Sequence, residues 1–291
     1  MRPASLAEVA RVTGGALHGA DPRALVSGGV SDSRFVRQGE LFFALQGRTD
    51  GADFAPEAHL RGAAAVVAAR PLPSPTLVVD DPLEAMQKLA RWTLSRADVV
   101  PTVVGITGSV GKTTTKDALV AVLRCAGRRV SSTEGNFNNE IGLPLTVLAA
   151  DQRTEVLVLE MGATHTGDIA HLCGIAQPDV GILTAVSPVH LDSFGDLDAL
   201  AAAKGELALA LQEGGALVAP VGVPEAATGY GRDLRRRITF GGEDADLLAS
   251  DIEDLEEGLR FTIHRGDSSR EVRTPVFGTH LVEPLLAAFG G

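Results

Sequence analysis

The pattern of apolar and polar positions predicts a small α/β domain at residues 1–98. The chain opens with a helical pattern at Leu6–Thr13, and short apolar runs separated by turn residues follow it. These runs lie at 40–45, 64–69 and 76–79. A further helix is predicted from about residue 82 to 95, where apolar residues recur at helical spacing. We place the end of this first domain just after that helix.

A different pattern begins near residue 99, where continuous apolar runs alternate with helical segments. The strands are TVVGIT, EVLVLEMG and DVGILTAV, and the helices after them are predicted at 112–125, about 167–175 and about 196–212. Apolar strands that alternate with helices indicate a mostly parallel sheet covered on both faces. Residues 99–291 therefore form a second α/β domain. Beyond residue 237, RFTIHRGDSSREVRTPV predicts an antiparallel hairpin that we expect to extend the edge of this sheet.

Composition and charge exclude several classes of protein. Hydrophobic residues make up 45% and charged residues 22% of the 291 residues, as in folded soluble domains. The net charge of −11 argues against nucleic-acid binding, which needs a surplus of lysine and arginine. No run approaches the roughly 20 apolar residues of a membrane span. Two cysteines, Cys125 and Cys173, are too few for a disulfide framework. We expect both to be buried free thiols in a cytoplasmic protein, with the monomer as its state.

Lysine is rare in this chain, although basic residues are not. Of 26 basic residues, only Lys88, Lys112, Lys116 and Lys204 are lysines. Lysine supplies a compact ammonium or a reactive amine, and arginine readily supplies neither. A lysine kept in such a background therefore hints at chemistry, although Lys88 needs no such explanation.

The strongest motif is VVGITGSVGKTTTK, in which an apolar strand runs into a glycine-rich turn and then a helix. This is the architecture of a loop that cradles nucleotide phosphates, with Lys112 on the β and γ phosphates and the Thr113 hydroxyl on Mg²⁺. The general pattern wants glycine at the position of Ile106, so the motif is the shorter T-G-x-x-G-K-T form. The predicted nucleotide-binding residues are Gly108, Ser109, Val110, Gly111, Lys112, Thr113 and Thr114.

Three further residues are candidates for catalysis. Glu160 ends an apolar strand, and a carboxylate at the carboxyl end of a parallel strand points into the crevice where ligands bind. It offers oxygen ligands for Mg²⁺. His190 follows the strand DVGILTAV and would reach the same crevice, although a lone histidine is more often structural. Lys204 lies on a helix and, taken alone, reads as an exposed lysine whose charge reaches solvent.

Five motifs in order along the chain resemble those of the Mur ligases: TGSVGKTTTK, EGNFNNEIGLPLTVL, LEMGATHTGDIAHL, SPVHLDSFG and AAAKGELALA. Within that family, GNFNNEIGLPLTVL and EMGATHTGDI look like the branch that joins D-alanyl-D-alanine to a UDP-N-acetylmuramoyl-tripeptide. The resemblance covers almost the whole chain and implies an ATP-dependent, amide-forming ligase of peptidoglycan precursor synthesis.

The resemblance also implies roles for individual residues. Lys112 and Thr113 would serve ATP and Mg²⁺, and Glu160 and His190 would serve magnesium. Lys204 matches the lysine that these ligases carbamylate with CO₂, which turns an ammonium into an anion that helps to position a metal ion. The polar turn near the nucleotide and metal matches Asn138 and Asn139.

The N-terminal segment SDSRFVRQGELFFALQGRTDGADFAPEAHLRGAAAVV is similar to the part of these ligases that holds the UDP-sugar. The matching residues are Ser31, Asp32, Ser33, Arg34, Gly47, Asp50 and Gly51. The implied partners are the UDP-N-acetylmuramoyl-tripeptide and D-alanyl-D-alanine, and no nucleic acid. An ordinary polar loop remains the alternative for these residues.

Complete Mur ligases carry a third, Rossmann-like domain, and this chain stops before it, so we expect little ligase activity from these 291 residues alone. Near the chain end, Pro284 stands where the family usually has an asparagine near the adenine, which puts adenine recognition there in doubt. Two alternatives stay open. One is a sister ligase that adds another amino acid, against which GNFNNEIG argues. The other is a non-catalytic nucleotide-binding module, against which the four candidate catalytic residues argue.

Overall fold

A computed structural model describes four segments of the chain: residues 1–96, 101–188, 194–229 and 234–291. The helices in these segments are α1 (Leu6–Thr13), α2 (Ala55–Leu60), α3 (Pro82–Leu94), α4 (Lys112–Cys125), α5 (Gly142–Ala149), α6 (Asp168–Ile175), α7 (Leu197–Ala210) and α8 (Val282–Gly290). None of these described helices has the length and apolar character that crossing a membrane requires.

The strands in the same segments are mostly short. They are β1 (Ala4–Ser5), β2 (Ala16–His18), β3 (Leu25–Val26), β4 (Gly28–Val30), β5 (Glu40–Phe43), β6 (Ala65–Ala68), β7 (Thr76–Val78), β8 (Thr102–Thr107), β9 (Val130–Ser132), β10 (Val156–Glu160), β11 (Val180–Leu183), β12 (Ala216–Pro220), β13 (Arg236–Phe240), β14 (Leu248–Leu255), β15 (Gly258–Arg265) and β16 (Ser268–Thr274). Strands and helices alternate along much of the chain, which confirms the predicted α/β class.

The structure divides into two compact units, which are Met1–Val100 with Glu140–Thr154, and Pro101–Asn139 with Glu155–Gly291. A single boundary near residue 99 assigns residues 140–154 to the second domain, whereas the structure places them in the first unit. The reason is the helix α5, which is buried along most of its length and packs against α3. An apolar helix packs against whichever apolar surface can bury it, even when that surface belongs to a domain formed by another part of the sequence.

The first unit is built on a five-stranded sheet in the order β2-β7-β6-β5-β4. The strands β4 to β7 are parallel, and β2 joins the edge antiparallel to β7. Its buried apolar residues include Phe42 and Val66, which alternate with residues facing the other side of the sheet. This arrangement is the small α/β domain that the sequence pattern predicts.

The second unit contains a six-stranded parallel sheet in the order β13-β12-β11-β8-β10-β9. The predicted antiparallel hairpin is present as β15 and β16, and with β14 it forms a three-stranded sheet of its own. This sheet meets the edge of the parallel sheet through one bridge between Phe240 of β13 and Leu247, the residue before β14. Leu259 and Phe261 on β15 belong to the same buried cluster as Phe240 on β13. Side-chain packing therefore joins the hairpin to this core.

One expectation about the cysteines is wrong. Cys173 is buried, as predicted, but Cys125 is exposed. Cys125 is the last residue of α4, and it follows the buried Val120 by five residues. At 3.6 residues per turn, this spacing rotates it roughly 140° away from the face that packs on the sheet.

Replacing Phe261 should test the packing of the hairpin. Phe261 is fully buried, so Phe261→Ala should lower the free energy of unfolding of the second unit by about 3–5 kcal/mol. Phe277→Ala removes the same ring from a position that is 57% exposed and should change it by less than about 0.5 kcal/mol. Denaturant unfolding followed by circular dichroism measures both, and equal losses would contradict the assignment of Phe261 to the core.

Candidate functional site

The candidate site of the second unit lies at the carboxyl ends of three adjacent parallel strands. The central strand β8 ends at Thr107, and its neighbours β10 and β11 end at Glu160 and Leu183. Glu160 is in register with Ile106, and Leu183 is in register with Thr107. The phosphate-loop motif therefore leaves the sheet beside Glu160, as the strand pattern of the sequence predicts.

The glycine-rich loop after β8 requires glycine for geometric reasons. Gly108 has a φ of 148° and Gly111 has a φ of 84°, both in the region that side chains avoid. A Cβ atom on Gly108 would lie 2.1 Å from the Thr184 hydroxyl oxygen. Any larger residue at position 108 would therefore push the loop away from the end of β11.

The loop is also tied to the segment that follows β11. The Thr184 hydroxyl donates a hydrogen bond of 2.6 Å to the carbonyl of Val110, and the Ser109 N–H donates one of 2.9 Å to Ala185. The Ser109 hydroxyl accepts a hydrogen bond of 3.0 Å from the N–H of Ser187. These contacts hold Ser109 and Val110 in place, and the side chain of Val110 is 53% exposed.

The helix α4 begins immediately after Gly111, and within the described residues no side chain caps its start. The first backbone bond of this turn runs from the Thr115 N–H to the Gly111 carbonyl over 2.9 Å. The N–H groups of residues 112–114, including Thr114, precede the regular helical pattern and suit an anion. The Lys112 ammonium lies over the loop and donates to the Gly108 carbonyl at 2.8 Å.

Glu160 forms the centre of a hydrogen-bonded group. Its carboxylate is 3% exposed and accepts hydrogen bonds of 2.9 Å from the Thr113 hydroxyl and from the Asn138 amide, one on each oxygen. Asn139, beside Asn138, is exposed. Burial lowers the pKa of the Lys112 ammonium, and the negative charge of Glu160 partly opposes this shift. Lys112, Thr113, Asn138 and Glu160 therefore lie together.

This donor set suits a hard divalent cation. The Thr113 hydroxyl and the Glu160 carboxylate supply oxygen ligands, which Mg²⁺ prefers, and phosphate and water oxygens commonly complete its shell. Within the described ranges, no cluster of three or more His, Cys, Asp and Glu side chains forms an all-protein metal cage. The residues thus fit a cation shared with a phosphate ligand.

Lys204 is buried, in contrast to the exposed helical lysine that its local sequence suggests. It is 4% exposed on α7, and its ammonium lies 5.7 Å from the centre of the Phe194 ring. Burial, together with repulsion from Lys112, lowers the pKa of Lys204 to about 8, and Asp168 and Glu206 oppose the shift. Lys204 therefore shares the electrostatic environment of the phosphate loop.

Two carboxylates that the sequence analysis did not single out hold the turn after β10. Asp168 accepts hydrogen bonds from the N–H groups of Thr164 and His165 at 2.7 and 2.8 Å. Glu206, two residues after Lys204, accepts one of 2.6 Å from the N–H of Gly167. Asp168 carries a recognisable signal, an acidic residue in the first turn of a helix, whereas Glu206 acts across 39 residues and has none.

His190, the fourth predicted catalytic residue, lies outside the described residues. The structure brings the other three into one electrostatic environment, because Lys112 interacts with both Glu160 and Lys204.

In the first unit, the residues at 31–34 form their own group of contacts. Arg34 binds the Asp32 carboxylate with two nitrogens, at 3.0 and 2.6 Å, and this contact lowers the pKa of Asp32. The Ser33 hydroxyl donates a hydrogen bond of 2.6 Å to Glu57. Ser31 is half-buried beside them. Arg34 is exposed, so its charge remains accessible to a ligand.

A cavity of about 320 Å³ lies elsewhere in the first unit. The side chain of Asp50 lines it, accepts a hydrogen bond of 2.9 Å from the Ala52 N–H, and pairs with Arg70 at 2.8 Å. Its lining residues also include Gln46, Asp81, Leu83 and Ile141, but not residues 31–34, Gly47 or Gly51. Of the predicted substrate residues, Asp50 alone lines this cavity. The sequence analysis missed Arg70, which is 20 residues from Asp50.

Comparison with known proteins gives a consistent result. Residues 106–290 match the Mur ligase middle domain. The UDP-N-acetylmuramoyl-tripeptide–D-alanyl-D-alanine ligase of Bacillus subtilis is 38% identical over 91% of this chain and 58% of its own length. The Escherichia coli ligase of the same name is 33% identical over 98% of this chain and 63% of its own length. The chain thus spans about three-fifths of these relatives.

Solved structures agree with the sequence relatives. MurF from Acinetobacter baumannii superposes with a TM-score of 0.86 at 30% identity, over 100% of this chain and 64% of that one. MurF ligase from Thermotoga maritima in complex with ADP gives a TM-score of 0.79 at 35% identity, over 91% of this chain and 62% of that one.

The pKa of Lys204 predicts how the free energy of unfolding changes with pH. Folding lowers this pKa from 10.5 to about 8, so between these values the unfolded chain holds a proton that the folded chain has released. Stability should therefore rise with pH in this window, by up to about 1.4 kcal/mol per pH unit, relative to the non-titrating variant Lys204→Met. Urea unfolding of both proteins in CO₂-free buffer measures the difference. A difference that stays flat above pH 8 would contradict the prediction.

Proposed function

The chain belongs to the Mur ligase family, and on that basis we propose that it binds ATP with Mg²⁺ and serves the addition of D-alanyl-D-alanine to UDP-N-acetylmuramoyl-tripeptide. The observation that carries this proposal is the contact of Thr113 and Asn138 with Glu160 beside the Lys112 ammonium. A phosphate loop, a hydroxyl and a buried carboxylate lie together at the carboxyl ends of the strands, and these are the groups that bind a metal–triphosphate complex. The names of the relatives supply the substrates.

The reaction has two steps. A carboxylate oxygen of the tripeptide attacks the γ-phosphorus of ATP, the bond to the bridging oxygen of ADP breaks, and an acyl phosphate forms. The amine of D-alanyl-D-alanine then attacks the acyl carbon, loses a proton and displaces phosphate. No side chain has to act as a nucleophile. The acid and the triphosphate are both anions, so charge neutralisation and alignment should supply most of the rate enhancement.

Each described residue has a place in this scheme. Lys112 would exchange the Gly108 carbonyl for phosphate oxygens, and the open N-terminus of α4 would face the same oxygens. The Thr113 hydroxyl and Glu160 would hold Mg²⁺, which neutralises phosphate charge when bound. Asn138 would keep the carboxylate oriented. His190 is proposed as a further magnesium residue on the family resemblance alone.

We assign Lys204 to carbamylation. Its amine, with a pKa of about 8, is partly unprotonated near neutral pH and can attack CO₂, forming an N–C bond and releasing a proton. The product is an anion, which the positive charge of Lys112 would attract, whereas the unmodified Lys204 ammonium is repelled by Lys112. Arginine cannot form this product, which agrees with lysine at this position in a chain otherwise rich in arginine.

The UDP-sugar is assigned to the first unit, with the 320 Å³ cavity as the pocket for part of it. Arg70 is 56% exposed at the cavity and pairs with Asp50, so a nucleotide phosphate can compete for its guanidinium. Residues 31–34 offer a second cationic group through Arg34. Ser31 to Arg34 and Asp50 then act as two separate parts of the substrate site.

Release of ADP tests the proposed activity. The product of the complete reading frame should release ADP only when UDP-N-acetylmuramoyl-tripeptide and D-alanyl-D-alanine are both present. Lys112→Met should lower kcat by about 100-fold or more, whereas Lys88→Met, at an exposed ion pair, should not. Turnover with a single amino acid in place of the dipeptide would indicate a sister ligase. Nucleotide binding without turnover would favour the non-catalytic nucleotide-binding module, and absence of both would contradict the proposed function.

Arg70→Ala tests the substrate pocket. Loss of a charge-assisted contact should raise KM for the UDP-muramoyl peptide about tenfold and leave kcat nearly unchanged. The control is Arg23→Ala, which removes an arginine from an exposed ion pair of the same unit. Equal KM values for the two variants would remove Arg70 from the site.

A further inference from the structure

Three of the four lysines lie in the second unit, but the proposed function uses only Lys112 and Lys204. The third, Lys116, lies on α4 one turn after Lys112 and is 5% exposed. Its ammonium donates a hydrogen bond of 2.9 Å to the carbonyl of Thr133 and lies 3.2 Å from the exposed carboxylate of Asp117. Burying an ammonium costs free energy unless a hydrogen-bond acceptor compensates for the lost water, and the carbonyl of Thr133 is such an acceptor.

Thr133 lies where the regular pairing of β9 with β10 ends. Its N–H donates to the carbonyl of Val158 over 3.0 Å, as the parallel register requires. The next bond of a regular parallel ladder would run from the N–H of Glu160 to the carbonyl of Thr133. Instead, the Glu160 N–H donates to the Thr133 hydroxyl over 3.0 Å, and the carbonyl accepts from Lys116. A side-chain oxygen thus replaces a main-chain oxygen in the ladder.

The chain leaves the sheet at this exchange of hydrogen-bond acceptors. Residues 134–139 follow Thr133 and bring Asn138 back to the Glu160 carboxylate, where its amide donates over 2.9 Å. The main-chain N–H of Glu160 and one of its carboxylate oxygens are therefore both held by the segment that leaves the sheet at Thr133. Lys116 fixes the point of departure of that segment.

We propose that Lys116 and Thr133 are positioning residues that set the orientation of the Glu160 carboxylate for a divalent cation. This inference rests on the proposed function, because it concerns the carboxylate assigned to Mg²⁺. Neither residue is assigned as a ligand of the cation or the phosphates. Thr133 acts on the main chain of Glu160, and Lys116 acts through the carbonyl of Thr133.

The side-chain types agree with this role. Thr133 is 1% exposed and makes three of these contacts through its N–H, carbonyl and hydroxyl, so serine can replace its hydroxyl and valine cannot. The three donors of a lysine ammonium can serve a carbonyl and one carboxylate, whereas arginine brings five donors in a fixed plane to the same buried place.

The test is the metal dependence of nucleotide binding by this chain, measured by calorimetry with ADP in MnCl₂ and in EDTA. The Kd in EDTA divided by the Kd in MnCl₂ gives the factor by which the cation strengthens ADP binding. This ratio reports the cation site separately from the phosphate loop. Thr133→Val and Lys116→Met should each reduce this ratio about tenfold, as loss of an outer partner of a ligand does, while Kd in EDTA stays within about twofold. Thr133→Ser and the surface control Lys88→Met should keep the wild-type ratio.

The possible results separate the two proposals. If ADP binding by the wild-type chain does not respond to Mn²⁺, the proposed function fails. If wild type responds and both Thr133→Val and Lys116→Met keep its ratio, only the positioning role is overturned. A purely structural role would lower the melting temperature and weaken both Kd values together, which circular dichroism and the EDTA series detect. Should one variant not fold, the other decides the outcome, because they act at opposite ends of the same contact.

Discussion

Glu160 is 3% exposed, so its carboxylate has lost most of its hydration. Hydrogen bonds and charges of the second unit have to replace the lost water contacts. The Thr113 hydroxyl and the Asn138 amide each give one hydrogen bond to the carboxylate, and Lys112 contributes a nearby positive charge. These groups come from three separate segments, which meet because β8 and β9 are the parallel neighbours of β10 on its two sides. The folded sheet therefore maintains a charged group that no single segment could hold.

Contacts within the protein also hold the phosphate loop in its conformation. Gly108 lets the loop lie against Thr184, whose hydroxyl then bonds the carbonyl of Val110. The loop conformation is thus fixed by protein contacts, so a triphosphate would not have to order it on binding. Lys112, by contrast, now bonds a carbonyl of the loop and has to release it to reach a phosphate.

The distribution of the four lysines gives a physical meaning to their rarity. Lys88 pairs with Glu84 at the surface of α3, where arginine would serve as well. Lys112, Lys116 and Lys204 are half-buried or buried in the second unit. Their ammonium groups lie at the phosphate loop, at the carbonyl of Thr133 and beside the Phe194 ring, respectively. Composition alone indicated that lysine was special here, but not what each lysine contacts.

The sequence by itself determined the parts of this protein that depend on local pattern. The helices at Leu6–Thr13 and Lys112–Cys125, the apolar parallel strands and the glycine-rich loop with its lysine and threonine follow from periodicity and backbone geometry within a few residues. Tertiary structure decided whatever depends on residues far apart in the chain. It placed α5 in the first unit, made β14–β16 a separate sheet, paired Arg70 with Asp50, and gave the carbonyl of Thr133 to Lys116. The physical reason is that a hydrogen bond or a packed face satisfies whichever partner the fold brings near, and sequence spacing does not record that partner.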